Sequence, residues 1–351
     1  MMMLLELYDF GLEARTLHLL AGALLGLVFG AAAQITRFCL RRAVAGPQED
    51  RAEAGAVWLA ALAAAVVGFA LSASLGFVDL GDHRFLSADL PLAAIVLGGL
   101  AFGAGMVLTR GCVSRLTVLS GTGNLRAAFV LLVFAVTAHA TLKGILAPLR
   151  TSIGAFTVDA PFASLAASTA GLAALVLLVV ALAATLTVRT RPRMLHLALA
   201  GLIGLVAVGG WAATSVLLFD EFDPLTVQSA AFTLPWSDTL FWTVASSAIP
   251  AGFGVGFIGG VVSGSYLSAA ARGEIKLFSF ESPRQTLRYG VGGVLMGFGG
   301  VLAGGCTVGA GLSGVASGSV AAIIALVSIG LGGWATAAAL SGTNRVVTAA
   351  V

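Results

Sequence analysis

Charge is what this chain has least of. Only 10% of its 351 residues are Asp, Glu, Lys or Arg, against about 25% in soluble domains. So little polar surface cannot cover a water-facing globule. With 58% hydrophobic residues and a mean hydropathy of +1.01, most of the chain's solvent has to be lipid. The net charge is only +3 and no basic run resembles a nucleic-acid arm, so nucleic acid is excluded as a partner. Cysteine is also scarce. Three residues, with no CxxC pair and no Cys/His cluster, exclude a disulfide framework and give no metal-site spacing, so no cofactor or metal is expected. Acidic residues are missing from the depths of the apolar segments, which argues against a proton pump or a sodium-coupled cation carrier. The start, Met1 to Glu13, carries Glu6, Asp9 and Glu13 instead of a basic leader, so no cleavable signal peptide is expected.

What the chain does have is long apolar runs. Nine are legible, at 14–35, 53–77, 91–109, 123–147, 162–188, 194–219, 238–262, 285–304 and 316–341. Each can cross about 30 Å of hydrocarbon, which takes roughly 20 helical residues. Short polar or amphipathic pieces near 36–44, 112–120, 263–271 and 306–314 read as short helices at re-entrant loops. The expectation is an all-α polytopic membrane protein, one transport domain over 1–351. Its repeat halves would be 14–147 and 238–341, with 162–219 connecting them.

Loop charge orients the chain. Arg37, Arg41, Arg42 and Arg51 follow the first segment, and Arg110, Arg115 and Arg126 lie between the third and fourth. Arg189, Arg191 and Arg193 separate the fifth and sixth, and Arg272, Lys276, Arg284 and Arg288 the seventh and eighth. The alternate loops carry Asp79, Asp82 and Asp89, then Asp220, Glu221, Asp223 and Asp238. Basic loops stay cytoplasmic, which places the N-terminus outside and the C-terminus inside.

Two stretches repeat one another. Gly103, Gly105, Val107, Leu108, Gly111 and Cys112 match Gly297, Gly299, Val301, Leu302, Gly305 and Cys306 at an offset of 194 (306 − 112). Leu119-Ser120-Gly121 then answers Leu312-Ser313-Gly314. In the expected topology the third segment runs inward and the eighth outward, so the repeats are inverted. Matched, glycine-interrupted segments of this kind point to a transport site near the bilayer midplane. Non-helical backbone is tolerated there only where protein buries it or where it lines a polar path.

The candidate pathway residues cluster at these breaks. Cys112 and Cys306 stand at their centres, with Gly111, Gly305, Gly121 and Gly314 where backbone bends and amides can face a ligand. Cys39 opens the first basic loop. Arg37, Arg110 and Arg115 either hold that loop in the cytoplasm or concentrate anions at a mouth. No arginine neighbours Cys306, because Gly304 stands where the first repeat has Arg110. Secondary candidates are Thr307, the ionisable His139 within the fourth segment, and Tyr266, a loose counterpart of Cys39 after the seventh. Thiols are soft, weak donors. They suit a substrate with sulfur at its surface better than a hard anion, which calls for Arg and Ser or Thr.

With Cys39, Gly111-Cys112 and Gly305-Cys306 at these spacings, the chain resembles the YeeE/YedE family of membrane proteins, whose characterised members are thiosulfate transporters. The resemblance covers nearly the whole length. It implies inverted pseudo-symmetry and thiosulfate relayed through Cys39, Cys112 and Cys306 by S–H hydrogen bonds. It also implies residence in a bacterial cytoplasmic membrane and a separate cytosolic sulfur carrier of the TusA type as receiver. Some relatives are linked to selenium compounds. A sulfurtransferase that forms a cysteine persulfide is the alternative that the neighbouring arginines allow, since they would lower a thiol pKa.

Overall fold

The structure is a computed structural model that describes residues 13–81, 83–160, 164–220 and 225–349, with side chains described as far as Ser341. Glu6, Asp9, Asp82, Glu221 and Asp223 lie outside the described residues, as does the start of the 162–188 segment.

Helices dominate. α1 (Ala14–Thr36), the short α2 (Leu40–Ala45), α3 (Gln48–Ser74), α4 (Leu92–Leu108), the short α5 (Val113–Gly121) and α6 (Leu125–Lys143) make the first half. A peripheral piece α7 (Ala147–Gly154) and α8 (Thr169–Thr190) follow. α9 (Met194–Ala212) continues into a π turn at Ala213–Leu217. Then come α10 (Thr233–Ala245), α11 (Phe253–Ala271), α12 (Pro283–Leu302), a second π turn at Gly309–Gly314, and α13 (Val320–Ala349). Eight stretches among the described residues are long and apolar enough to cross a membrane. The ninth expected span is α12. It is 20 residues long, but Arg284, Gln285 and Arg288 occupy its first turns, so its apolar stretch begins late. The protein is a multi-span, all-α membrane protein.

One segment is corrected. The run at 238–262 is not a single helix. The chain between α10 and α11 carries Pro250, whose ring restricts the preceding residue and removes a helix donor, and Gly252. Asp238 therefore sits inside α10 and not in a loop. The short piece expected at 263–271 is the last part of α11. The short helix of this half stands before the span, not after it.

Close backbone contact sets the helix directions. A Cβ on Gly22 would lie 2.2 Å from the Phe253 carbonyl oxygen, one on Gly26 2.2 Å from that of Phe257, and one on Gly30 2.2 Å from that of Val261. Residue numbers rise together, so α1 and α11 are parallel. Gly98 faces Ala303 while Gly105 faces Gly292, so α4 and α12 are antiparallel. Gly99 against Ala325 and Gly103 against Gly333 make α4 and α13 parallel. Without hydrophobic drive between helices in lipid, such small-residue seams supply van der Waals contact.

The basic loops share one face. Arg37, Arg42, Arg193 and Arg272 line a single cavity of about 350 Å³. Arg126 pairs with Glu281 at 2.6 Å and also donates to the Ser279 carbonyl. On the opposite face β1 (Asp89–Leu90) pairs antiparallel with β2 (Val158–Asp159), and the Leu165 N–H donates to the Gly318 carbonyl at 2.9 Å.

Candidate functional site

Two breaks in helices build the first cluster. α1 ends at Arg37, in the left-handed region at φ 52°, and Cys39 then caps α2 in extended geometry. α4 ends in the same manner: Arg110 has φ 59°, and Cys112 caps α5. The Thr109 hydroxyl donates to the carbonyls of Gly105 and Gly111 at 2.9 and 3.0 Å, which holds the turn. From α5, Arg115 donates to the carbonyl of Ala33 and to Gln34 Oε1 at 3.3 and 3.4 Å, tying it to the end of α1. Cys39 Sγ and Cys112 Sγ consequently lie 3.5 Å apart in hydrogen-bond contact. Cys112 also contacts Ser114 Oγ at 3.2 Å. Both thiols are buried.

The second break follows α12. Gly304 has φ 73°. The Ala303 N–H donates to the Gly299 carbonyl and Gly304 N–H to that of Val301, as Thr109 does to Gly105 and Arg110 to Val107. The arginine of one repeat is thus glycine in the other at a position that demands left-handed backbone, which costs a side-chain-bearing residue roughly 1–2 kcal/mol. Arg110→Gly should accordingly raise the thermal midpoint in detergent by a few degrees. A lower midpoint would show that the exposed guanidinium contributes more than the strain it carries.

Cys306 follows, fully buried, with its Sγ accepting from the Gly309 N–H at 3.3 Å. Gly305 beside it and Gly309, but not Cys306 itself, line a cavity of about 460 Å³ together with Ser313, Thr233, His83 and Arg84. Ser313 donates to the Ala230 carbonyl at 2.7 Å and meets Ser229 Oγ at 3.1 Å. His83 Nδ1 accepts from the Phe85 N–H at 3.2 Å. Burial, helped by the charge of Arg84, holds the His83 pKa at about 4. The ring is therefore neutral at ordinary pH, with its proton on Nε2. Arg84 stacks over Phe85, 5.3 Å from the ring centroid. Its pKa is pushed down by burial, yet an arginine stays charged.

Aromatic rings gather in the same buried core as the three thiols. Phe29 meets Phe38 at 6.3 Å, Phe232 at 5.4 Å and Phe257 at 5.8 Å between centroids. All four residues are buried. They form one buried apolar cluster, with Phe38 next in sequence to Cys39.

The other sequence candidates scatter. Arg37 and Arg110 are exposed at their helix ends. Gly121 is a packing residue, since a Cβ there would reach Ser265 Oγ and the Val262 carbonyl. Gly314 packs against Ala322 and Phe85, and Thr307 is buried beside Cys306. His139 bonds Ser237 of α10 at 3.0 Å and packs on Phe241, which ties α6 to α10 outside the thiol clusters. Tyr266 is 51% exposed on α11, so it does not occupy a site matching that of Cys39. Sequence reasoning passed over His83, Arg84 and Thr233. A signal for Arg84 was present, because a cation in an otherwise acidic loop breaks the loop-charge pattern. Among the described residues, no three His, Cys, Asp or Glu side chains gather to hold a metal.

A family model described as sulphur transport matches residues 35–335. The chain belongs to that family. It is 28% identical over 337 residues to the thiosulfate transporter TsuA of Spirochaeta thermophila, covering 90% of this chain and 97% of that one. It is 27% identical over 343 residues to the thiosulfate transporter TsuA of Escherichia coli, covering 90% and 92%. The match to the sulphur-transport family takes in all three cysteine breaks.

Proposed function

We propose that the protein imports thiosulfate across a bacterial cytoplasmic membrane, passing the anion between thiols. The observation that carries this reading is the 3.5 Å contact between Cys39 and Cys112; in this reading the buried phenylalanine cluster is a seal with Cys306 beyond it. The basic face is cytoplasmic by the loop-charge rule, with the N-terminus outside. Thiosulfate enters over Arg84 and His83, meets Cys306, crosses the phenylalanine seal and reaches Cys112 and then Cys39. The arginine-lined cavity lies at the exit, where it attracts the anion and faces a TusA-type carrier. The thiols act as S–H donors to the terminal sulfur, and glycine amides near the breaks replace part of the lost hydration. Each hydrogen bond lost without replacement costs about 1–3 kcal/mol.

The test is uptake of labelled thiosulfate into proteoliposomes, with sulfate as competitor. Saturable uptake that sulfate does not displace is the expected result, and wild-type vesicles no better than empty ones would overturn the reading. The anion should arrive intact, so labels on both sulfur atoms appear inside together. Sulfite left outside would favour persulfide formation instead.

Arg84 supplies the charge that the second repeat lacks. Arg84→Gln should raise the KM for uptake about tenfold, the scale of one charge-assisted hydrogen bond, with little change in maximal rate. Between about pH 5 and 8, uptake should show no inflection from His83, because its depressed pKa keeps it neutral there. A KM equal to wild type would remove Arg84 from the entrance.

A further inference from the structure

We propose that Thr233 is a fourth pathway residue, the counterpart of Cys39 in the second repeat, and that its hydroxyl takes an oxygen of the sulfur oxyanion while Cys306 takes the sulfur. This rests on the transport reading and adds a residue to its site.

The offset of 194 that joins Cys112 to Cys306 extends further than the cysteine motifs. Gln34, Phe38 and Leu40 match Gln228, Phe232 and Leu234 at the same offset, which places Thr233 opposite Cys39. Packing agrees with this register. The helix that begins after Cys39, α2, packs on α13, and the helix that begins at Thr233, α10, packs on α6. Likewise α1 packs on α11 and α9 on α3. Exchanging the halves as α1 with α9, α2 with α10, α3 with α11, α4 with α12 and α6 with α13 maps each of these contacts onto another. The second repeat then begins at α9, and only α7 and α8 connect the two. Phe38 and Phe232, matched by the offset, both pack against Phe29.

The two matched pairs differ in state. Cys39 and Cys112 are bonded to each other. Thr233 is 6% exposed, and its Oγ1 is buried with no hydrogen-bond partner among the described residues. Cys306 takes its bond from Gly309 instead. Thr233 lines the same cavity as Gly305 and Gly309, on either side of Cys306. A buried hydroxyl without a partner is rare in folded proteins and calls for an explanation. A visiting acceptor supplies one. Hydroxyls donate to hard oxygen and thiols to soft sulfur, so Thr233, on the cavity that Gly305 and Gly309 share, together with Cys306 selects an anion that presents both. In the outer pair the Thr233 hydroxyl keeps its donor unused, while the inner pair is closed on itself.

Full-length Thr233→Val and Thr233→Ser in proteoliposomes test this through concentration-dependent uptake of labelled thiosulfate, alongside thermal unfolding in detergent. Val keeps the shape and deletes only an unpaired hydroxyl. The thermal midpoint should therefore hold or rise while KM increases about tenfold, the size of one hydrogen bond. Ser should stay near wild type in uptake. Val uptake equal to wild type would overturn the proposal, as would a fall in midpoint and uptake together in Val. Failure of the underlying reading looks different: wild type itself would take up no thiosulfate, and Thr233 would lose its role with it.

Discussion

Cys112→Ala should reduce thiosulfate uptake by at least about a hundredfold, at membrane levels equal to wild type. In the proposed relay Cys112 stands between the other two thiols. It contacts Cys39 at 3.5 Å and Ser114 at 3.2 Å, so alanine strips Cys39 of its thiol partner and, in the proposed relay, deletes the station between Cys306 and Cys39. An anion leaving the seal would then face a gap lined by a methyl group. Two donor contacts missing at a barrier, at about 1–3 kcal/mol each where nothing replaces them, correspond to a factor of that size. The fold should tolerate the change, because alanine is smaller and the turn is held by Thr109 and by Arg115, not by the thiol. Initial rates in proteoliposomes, with protein quantified in the same vesicles, check it. Uptake within about threefold of wild type would show that the anion passes without this thiol.

Cys112→Ser sharpens the argument. Serine keeps a donor but makes it hard. Where the donor meets the terminal sulfur of thiosulfate, serine should recover only part of the rate. If any donor serves, recovery will be complete, and selectivity for sulfur will have to come from elsewhere on the path.

The helix breaks were legible in the sequence where they are written twice. The match of Gly111-Cys112 with Gly305-Cys306 placed both breaks, and the left-handed pair Arg110 and Gly304 explains why the flanking residue could change while the turn did not. The grouping of basic loops on one face also followed from charge alone. What escaped were features that need a partner to have meaning. Thr233 is an unremarkable threonine until Cys39 is set opposite it, and Arg84 is one cation in a loop read for its aspartates. The split of the seventh segment was signalled by Pro250, yet flanking apolar residues on both sides mimic a continuous span. Hydropathy registers how greasy a stretch is and not whether its hydrogen-bond ladder is continuous.

A second readable pattern is Gly22, Gly26 and Gly30 on α1 with Gly256, Gly260 and Gly264 on α11. Every one of these glycines faces backbone of the other helix, and this seam yields the other large effect. Gly26→Ala should prevent accumulation of folded protein in the membrane. A Cβ there would stand 2.2 Å from the Phe257 carbonyl oxygen and 3.0 Å from the amide nitrogen of Val261. The obstacle is main chain, so no rotamer change relieves it, and the helices must part along the full seam. Overpacking in a close-fitting interior costs about 1–3 kcal/mol even where side chains can shift, and here the displacement also carries the end of α1, with Cys39, away from Cys112. Gly259→Ala is the control. It adds the same methyl on α11, where a Cβ meets nothing within 4 Å, and the helix gains up to about 1 kcal/mol from propensity. Folded yield by size-exclusion chromatography should therefore collapse for Gly26→Ala and hold for Gly259→Ala. Equal yields would mean that α1 and α11 do not meet through this glycine seam, and the placement of Cys39 beside Cys112 would lose its mechanical support.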